Sequence, residues 1–285
     1  MRIATIDRNG KPVLAVRKGE GYVDLSIAAP KLPQDMTALL AAGGLKQAAE
    51  AADGAGQEAM VPAGEARYLP VVPRPPKILC CGLNYIDHAK ETGQPIPDYP
   101  IIFVRFATTL VGHGQPMVRP RASEQYDYEA ELAVVIGKPG RHIAKADALG
   151  HVAGYSCFND GSLRDYQFKS PQWTMGKNFD ATGGFGPELV TADELPDGAN
   201  GLTIRCRLNG ETVQDSNTNQ HIFDVPTVIS VVSEAITLEA GDVIIMGTPP
   251  GVGAARKPQL WMKGGDTCEI EIEGIGTLSN PIVDE

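Results

Sequence analysis

Two glutamates two residues apart form the most informative pattern in the sequence. The segment 126–137 reads YDYEAELAVVIG. Alternate side chains of a β-strand point to opposite faces, so Glu129 and Glu131 would share one face with Asp127. Their α-carbons would lie roughly 6.6 Å apart, close enough for both carboxylates to bind one cation. Adjacent like charges are unfavourable without a cation or solvent between them, so the pattern indicates either a cation site or a solvated strand face.

A third carboxylate, Asp160, follows the apolar run 151–158. Helix capping would explain an aspartate at a strand-to-helix junction. Three carboxylates with no Cys or His pattern nearby would instead form an all-oxygen site, which favours Mg²⁺, Mn²⁺ or Ca²⁺ over zinc. Arg164 and Gln167 follow at i+4 and i+7, which predicts one helical stripe shared with Asp160. Arg164 would then lie near the site or simply form an ion pair with Asp160.

His88 and Glu91 lie three residues apart in a segment, 81–93, that reads as a strand end, a turn and one or two helical turns. That spacing places both side chains on one helix face. A carboxylate beside an imidazole raises its basicity and fixes its orientation, as a general base requires. An ordinary surface His–Glu pair is the alternative. The other four histidines are predicted to be structural: His113, His142, His151 and His221.

Two further stretches could contact a small anionic ligand. Lys177 lies alone between a glycine and a turn-rich region, where its charge could stabilise a developing enolate. The loop 247–253 reads GTPPGVG, which could bring backbone N–H groups and Thr248 close to a carboxylate. It lacks the Gly-Lys-Ser/Thr ending of a phosphate-binding loop. An exposed lysine and an ordinary tight turn are the competing interpretations.

Composition narrows the function classes. The 285 residues carry 35 acidic and 25 basic side chains, a net charge of −10, and no basic run exceeds two residues. This argues against nucleic acid or an anionic membrane as a partner. No apolar run approaches the length of a membrane span, and the N-terminus is charged too early for a signal peptide. The five cysteines are odd in number and lack metal-type spacing, which predicts reduced thiols in a cytoplasmic protein.

The chain is predicted to fold into two parts. Gly and Pro together number 54, which indicates many turns between short strands. The Pro-rich run 71–76 is the best linker, and we place a small N-terminal domain at 1–72 and a second domain at 73–285. Short strands are predicted in both parts, with an interrupted helical stretch at 35–53 and a helix at 225–238.

Taken in order, these segments resemble the fumarylacetoacetate hydrolase family. The resemblance covers about residues 75–283 and rests on five motifs: GLNY…H…E at 82–91, YEAEL at 128–132, D…R…Q at 160–167, GKNFD at 176–180 and GTPPGVG at 247–253. It implies an α+β, mostly β fold, a mixed β-sandwich roll of the fumarylacetoacetate hydrolase C-terminal type with a small N-terminal β-rich domain. It also implies a homodimer that acts on a small molecule.

The resemblance implies a role for each candidate residue. Matched to this sequence, the family's metal ligands are Glu129, Glu131 and Asp160. Its water-activating pair is His88 and Glu91, and its enolate-stabilising lysine is Lys177. Its positions near substrate oxygens are Arg164, Gln167 and Thr248. The implied cofactor is Mg²⁺ or Mn²⁺, with Ca²⁺ as an alternative occupant in crystals.

The implied reaction is hydrolysis of a C–C bond in a 2,4-dioxo acid of the acylpyruvate type, with release of pyruvate or a related 2-oxo acid in catabolism. The same site could instead serve an isomerase or a decarboxylase that acts on a metal-bound 2-oxo acid enolate, of the hydroxymuconate or oxaloacetate type. A binding or scaffold protein that kept the fold without catalysis is the alternative from another class.

One departure from the family concerns Arg105. The family frequently has Phe-x-Lys-Pro after the strand 101–104, whereas this chain reads Phe-Val-Arg-Phe. Arginine keeps the charge but changes reach and donor geometry. We expect this to alter the outer substrate contacts and to leave the metal ligands undisturbed. The substrate tail is expected to contact the predicted loop 92–100, residues 105–113 and the predicted loop 183–187.

Overall fold

The structure is a computed structural model that describes residues 1–285, and it is built mainly from β-strands. The strands are β1 Arg2–Arg8, β2 Lys11–Lys18, β3 Gly21–Asp24, β4 Met60–Pro62, β5 Arg67–Tyr68, β6 Ile78–Gly82, β7 Ile101–Arg105, β8 Leu110–Val111, β9 Met117–Arg119, β10 Tyr126–Asp127, β11 Ala130–Ile136, β12 Val152–Asp160, β13 Ser162–Leu163, β14 Gly183–Thr191, β15 Thr203–Leu208, β16 Glu211–Asn217, β17 Val243–Ile245, β18 Thr267–Ile272 and β19 Gly276–Asp284. The α-helices are α1 Leu25–Ala28, α2 Met36–Ala41, α3 Leu45–Asp53, α4 Ile86–Glu91, α5 Arg164–Gln167, α6 Thr174–Lys177 and α7 Val225–Ala235.

A twelve-stranded mixed sheet forms the body of the molecule. Its main path is β4-β3-β2-β1-β14-β12-β11-β17-β6-β7, with β5 added to β1 and β8 to β14. Strand β11 lies inside this sheet, antiparallel to both β12 and β17. The C-terminal end of β6, the N-terminal end of β11 and the C-terminal end of β12 lie on the same side of the sheet. The candidate metal ligands lie at the ends of β11 and β12.

Both faces of the large sheet are covered. Leu132 and Val134 of β11 pack in one core with Ile270 and Leu278 of the second, five-stranded sheet, whose order is β16-β15-β18-β19-β9. Ala133 belongs to the core on the other side, which the N-terminal helices cover. The period-two alternation of this segment is therefore confirmed, and it separates two cores rather than a core from solvent.

The N-terminal segment is hydrogen-bonded into the same large sheet. Strand β1 pairs with β14, and the hydroxyl of Thr5 donates to the carbonyl of Val71 at 2.8 Å. Val71 and Val72 are completely buried, so the start of the run 71–76 is packed against the body of the molecule, whereas Arg74 and Pro76 are exposed. The segment 1–72 therefore packs directly on the rest of the chain, and a domain boundary at residue 73 stays a prediction.

The predicted α+β, mostly β fold class is confirmed. The helical stretch 35–53 is broken at Gly43 and Gly44 into α2 and α3. Asp224 caps α7 and Pro226 lies in its first turn, as expected of a helix start. All five cysteines are buried and free of disulfides. None of the helices is long and apolar enough to cross a membrane.

Candidate active site

Three carboxylates meet in the interior. The ligand oxygens of Glu129, Glu131 and Asp160 lie within 4.8 Å of one another, and all three residues are buried. Glu129 directly precedes β11, Glu131 lies in it, and Asp160 ends β12. The amide of Asp160 donates to the carbonyl of Glu129 at 2.9 Å, so the pairing of two strands brings together residues that are distant in sequence. A solvated strand face is excluded.

Lys177 lies between two of these carboxylates. Its ammonium is 2.6 Å from a carboxylate oxygen of Glu129 and 2.6 Å from one of Asp160. Lys177 is the last residue of α6, and Gly176 allows α6 to approach α5, because a Cβ there would lie 2.4 Å from the backbone nitrogen of Gln167. Burial opposes the charge of Lys177, but Asp160 and Glu129 outweigh it and raise its pKa, so the ammonium is retained.

Two carboxylates of the cluster have opposite pKa shifts. Burial opposes ionisation of Glu129, but Lys177 and Arg164 outweigh it and hold the pKa of Glu129 below its usual range. Burial, together with the charges of Asp160 and Glu129, raises the pKa of Glu131 well above its usual range. The hydrogen bond from the amide of Gly247 to Glu131, at 2.5 Å, only partly offsets this. Glu131 is therefore the carboxylate without a matching cation.

Arg164 is joined to the site by Asp127, a carboxylate without a predicted role. It donates to Asp127 at 2.7 Å, lies 2.7 Å from Glu129 and donates to the side-chain oxygen of Gln167 at 2.9 Å. Arg164 therefore does not pair with Asp160. The predicted common helical stripe was wrong, because Asp160 belongs to a strand and α5 begins only at Arg164.

Asp127 fastens the glycine-rich loop to this network. It is completely buried and accepts hydrogen bonds from the amides of Gly253 and Ala254, at 2.7 and 3.0 Å, as well as from Arg164. Its period-two relation to Glu129 and Glu131 was the signal that could have identified it. Asp127 thus positions both Arg164 and the loop that borders the cavity.

Arg105 contacts the acidic cluster directly, which corrects the expectation that it leaves the metal ligands undisturbed. Its guanidinium donates to Oδ1 of Asp160, and neither side chain is solvent-exposed. Arg105 therefore forms part of the immediate environment of a candidate metal ligand. The signal in the sequence was a charged residue at the end of an apolar strand, Ile101–Arg105.

His88 and Glu91 pair as predicted on α4. Nδ1 of His88 is 3.2 Å from Glu91 Oε2, and His88 is buried whereas Glu91 is partly exposed. The amide of Gly251 donates to the Glu91 carboxylate at 3.0 Å. An ionised carboxylate only accepts hydrogen bonds, so Nδ1 carries the proton and Nε2 remains as the basic nitrogen. His221, predicted to be structural, packs edge-on against Tyr85 with its ring centroid 4.7 Å away.

A cavity of about 760 Å³ unites these groups. Thr248 faces it, and its hydroxyl accepts a hydrogen bond from Gln214 at 2.8 Å. The candidate residues that line the cavity are His88, Glu91, Glu129, Glu131, Arg164, Gln167, Lys177 and Thr248, whereas Asp160 lies directly behind them.

The outer wall of the cavity differs from the prediction. Of the three segments expected to contact the substrate tail, only 92–100 contributes, through Thr92 and Gln94. The segment 168–173 supplies Phe168 and Trp173 instead, and Trp173 packs against Phe103 with ring centroids 5.5 Å apart. Residues 183–187 belong to β14 and lie inside the sheet, because two Gly residues and a Gly-Pro pair that read as turns are part of a strand.

The donor set suits a divalent cation. Three carboxylates supply only oxygen ligands, the kind that Mg²⁺ and Mn²⁺ prefer. Four buried acidic groups (Asp127, Glu129, Glu131 and Asp160) face three buried cations (Arg105, Arg164 and Lys177), so one acidic group, Glu131, has no matching cation. A bound dication would stabilise the ionised form of Glu131.

Comparisons with known proteins agree with this site. Residues 77–283 match the family described as Fumarylacetoacetate (FAA) hydrolase C-terminal. A human protein named mitochondrial oxaloacetate tautomerase FAHD2A is 44% identical over 272 residues, which cover 95% of this chain and 86% of that protein. The crystal structure of a putative HpcE protein from Mycobacterium smegmatis has a TM-score of 0.89 at 35% identity, covering 100% of this chain and 99% of that one. A maleylpyruvate hydrolase from Sphingobium, crystallised with manganese(II) and pyruvate, has a TM-score of 0.83 at 29% identity, covering 100% and 99%.

The fold, the acidic cluster and these similarities define the class: an enzyme with a site for a divalent metal. The chain belongs to the fumarylacetoacetate hydrolase family.

The unequal charge environment of the glutamates leads to a stability prediction. Without metal, Glu129→Gln should lower the free energy of unfolding by about 3 kcal/mol, because it takes a charged partner from Lys177 and Arg164. Glu131→Gln should leave that free energy unchanged or raise it by up to about 1 kcal/mol, because it removes a carboxyl group whose ionisation the cluster opposes. Both variants should weaken Mn²⁺ binding at least about 100-fold. Denaturant unfolding in EDTA and calorimetric titration measure the two effects.

The exposed Glu124 offers a matched control, since Glu124→Gln should change neither quantity. Equal destabilisation by Glu129→Gln and Glu131→Gln in EDTA would contradict the assigned charge distribution.

Proposed function

We propose that this protein is a divalent-metal-dependent enzyme that stabilises the enolate form of a 2-oxo acid, and that its reaction is keto–enol tautomerisation of oxaloacetate. One observation carries the proposal. A buried ammonium, Lys177, lies between two carboxylates at the inner end of a cavity that also contains a His–Glu pair. Positive charge concentrated in a site shielded from water stabilises an enolate oxygen.

The acidic cluster would supply the metal chemistry. A divalent ion held by Glu129, Glu131 and Asp160 would act as a Lewis acid toward the oxygens of the 2-oxo acid. Lys177 would place a second positive charge near the same oxygens. Arg164 and Gln167, which are hydrogen-bonded to each other, would orient the substrate carboxylate from one side of the cavity, and Thr248 from another.

The His–Glu pair would move the proton. Glu91 holds Nδ1 of His88, so Nε2 can take a proton from C3 of the keto acid. The C–H electron pair then forms the C2–C3 double bond, and the C2 carbonyl oxygen gains the charge that Lys177 neutralises. A proton from solvent then completes the enol at that oxygen, and His88 returns the proton it took to solvent, so the net reaction moves one proton from carbon to oxygen. The reverse sequence returns the proton from His88 to C3.

Oxaloacetate is the proposed substrate because of the relatives. Proteins named oxaloacetate tautomerase from human, cattle, frog and rat are 42–44% identical over 93–95% of this chain. The candidate groups on this chain are sufficient for that reaction, since it requires a base for C3 and charge stabilisation at the C2 oxygen.

Hydrolysis of an acylpyruvate is a second candidate, which the cavity favours. A volume of about 760 Å³ lies in the range that accommodates drug-sized ligands and exceeds what the nine heavy atoms of oxaloacetate occupy. His88 would then take a proton from water, the hydroxide would add to the distal carbonyl, and the C–C bond would break with pyruvate enolate as leaving group. The Sphingobium relative is named a maleylpyruvate hydrolase and was crystallised with pyruvate.

Steady-state assays with both substrates distinguish the two candidates. The enol absorbance of oxaloacetate reports tautomerisation, and a coupled lactate dehydrogenase assay reports pyruvate release from an acylpyruvate. We expect metal-dependent tautomerisation with the higher kcat/KM. His88→Ala should lower kcat about 100-fold to 1,000-fold, with unchanged Mn²⁺ affinity, because it removes the base but no metal ligand.

Lys90→Ala is the matched control, because Lys90 lies on the same helix, is exposed and pairs only with Asp87. Faster pyruvate release from acylpyruvates would establish the hydrolase instead. Full activity of His88→Ala, or of the wild type in EDTA, would refute the proposed mechanism.

We propose a homodimer that associates through the exposed edge at β7. This strand ends the large sheet, and apolar side chains lie exposed around it, with Phe106 and Met175 54% and 64% exposed. An unpaired edge strand with apolar neighbours favours association. Light scattering should give twice the 30.3 kDa of one chain at micromolar concentration, and Phe106→Asp should shift it to one chain. A monomeric wild type would contradict this.

The cytoplasm remains the proposed compartment, supported by five buried thiols without a disulfide. The relatives named as mitochondrial supply the alternative. Fractionation of the source cells distinguishes the two.

A further inference from the structure

In each candidate metal ligand, one oxygen is held by an arginine or by a backbone amide. Arg105 donates to Oδ1 of Asp160, the guanidinium of Arg164 lies 2.7 Å from Oε1 of Glu129, and the amide of Gly247 donates to Oε2 of Glu131. A carboxylate oxygen that is held by such a contact points toward its protein donor. The remaining oxygens are Oε2 of Glu129, Oε1 of Glu131 and Oδ2 of Asp160, and the ammonium of Lys177 donates to the first and the last of them at 2.6 Å. A cation bound beside this ammonium would take one oxygen from each carboxylate.

The number of oxygens that a carboxylate presents affects which cation it suits. Ca²⁺ takes six to eight oxygen ligands and often binds carboxylates through both oxygens. Mg²⁺ requires six ligands in an octahedron and keeps several waters, and Mn²⁺ also suits octahedral oxygen sites. Three carboxylates that each offer one oxygen would leave three of the six octahedral positions of Mg²⁺ or Mn²⁺ for water or substrate. Ca²⁺ would find fewer carboxylate oxygens there than it usually binds.

The donor on Asp160 is the most firmly held. Beyond Asp160, the Arg105 guanidinium donates to the carbonyl of Gly161 at 3.1 Å, to the hydroxyl of Thr182 at 3.0 Å and to that of Thr109 at 3.3 Å. Gly183 leaves room for it, because a Cβ at that position would lie 2.8 Å from an Arg105 nitrogen. Arg105 itself does not line the cavity and reaches the site only through Asp160.

We propose that Arg105 makes this site selective for small octahedral cations such as Mg²⁺ and Mn²⁺ over Ca²⁺, by holding Asp160 as a ligand that offers one oxygen. The inference rests on the proposed function insofar as it takes the three carboxylates as metal ligands. Arg105 is a positioning residue. The hydrogen bonds that hold the Arg105 guanidinium would keep Oδ1 of Asp160 turned away from a bound ion. A shorter or neutral side chain at position 105 would release Oδ1 to bind Ca²⁺ together with Oδ2.

Calorimetric titration of the metal-free protein with Mn²⁺ and Ca²⁺ tests this. In the wild type, Mn²⁺ should bind more tightly than Ca²⁺. In Arg105→Gln, the ratio of the Ca²⁺ to the Mn²⁺ dissociation constant should fall at least about tenfold. Loss of a positive charge strengthens the binding of both dications alike, so a purely electrostatic role would leave this ratio unchanged. The ratio therefore reports the geometry of Asp160.

Two further variants make the test decisive. Arg105→Lys keeps the charge but loses the hydrogen-bonded guanidinium, and it should lower the ratio at least about threefold, which decides the matter if Arg105→Gln does not fold. Arg119→Gln removes a surface arginine paired with Asp284 and should leave the ratio unchanged.

Each remaining outcome counts against the inference. An unchanged ratio in both Arg105 variants, or equal binding of both ions by the wild type, would overturn the selectivity role and leave the proposed function intact. Absence of any divalent-ion binding by the wild type would overturn both.

Discussion

The burial of four carboxylates in one region is the constraint on which the rest of the site depends. Ionised carboxylates removed from water are strongly unfavourable unless cations or hydrogen-bond donors surround them. Arg105, Arg164 and Lys177 supply three positive charges, each within a direct contact of the cluster. Glu131 is the carboxylate that none of these cations matches. A protein that needed only stability would not gather these groups, so the cluster points to a cation as its functional partner.

The fold explains how these charges are held. Glu131 and Asp160 lie on β11 and β12, which are paired inside the large sheet, and Glu129 directly precedes β11. Asp127 ends β10, which pairs with β13 in a separate two-stranded sheet. The compensating cations come from the edge strand β7 and from the short helices α5 and α6, which are packed together through Gly176. Glu91 is joined to the glycine-rich loop through Gly251, and Asp127 is joined to the same loop through Gly253. One loop thus contacts both the His88–Glu91 pair and the network around the acidic cluster, and a displacement of that loop would alter both.

Local pattern sufficed for the parts of this structure that depend on local geometry. Alternation placed Glu129 and Glu131 on one face, helical spacing paired His88 with Glu91, and Asp224 with Pro226 marked the start of α7. The contacts missed are those between distant segments. Arg105 and Asp160 are 55 residues apart, and nothing near either one indicates the partner.

Glycine and proline caused the other errors. In β14 they read as turns, but there the glycines admit close neighbours: Gly183 gives room to the guanidinium of Arg105. Trp173 similarly occupies the space that a side chain at position 82 would fill, since a Cβ on Gly82 would lie 2.2 Å from the indole.

The most direct test of the acidic cluster as a metal site is anomalous diffraction from crystals grown with Mn²⁺. One strong peak is expected at about 2.0–2.3 Å from oxygens of Glu129, Glu131 and Asp160. A peak elsewhere, or none at this cluster, would contradict the account.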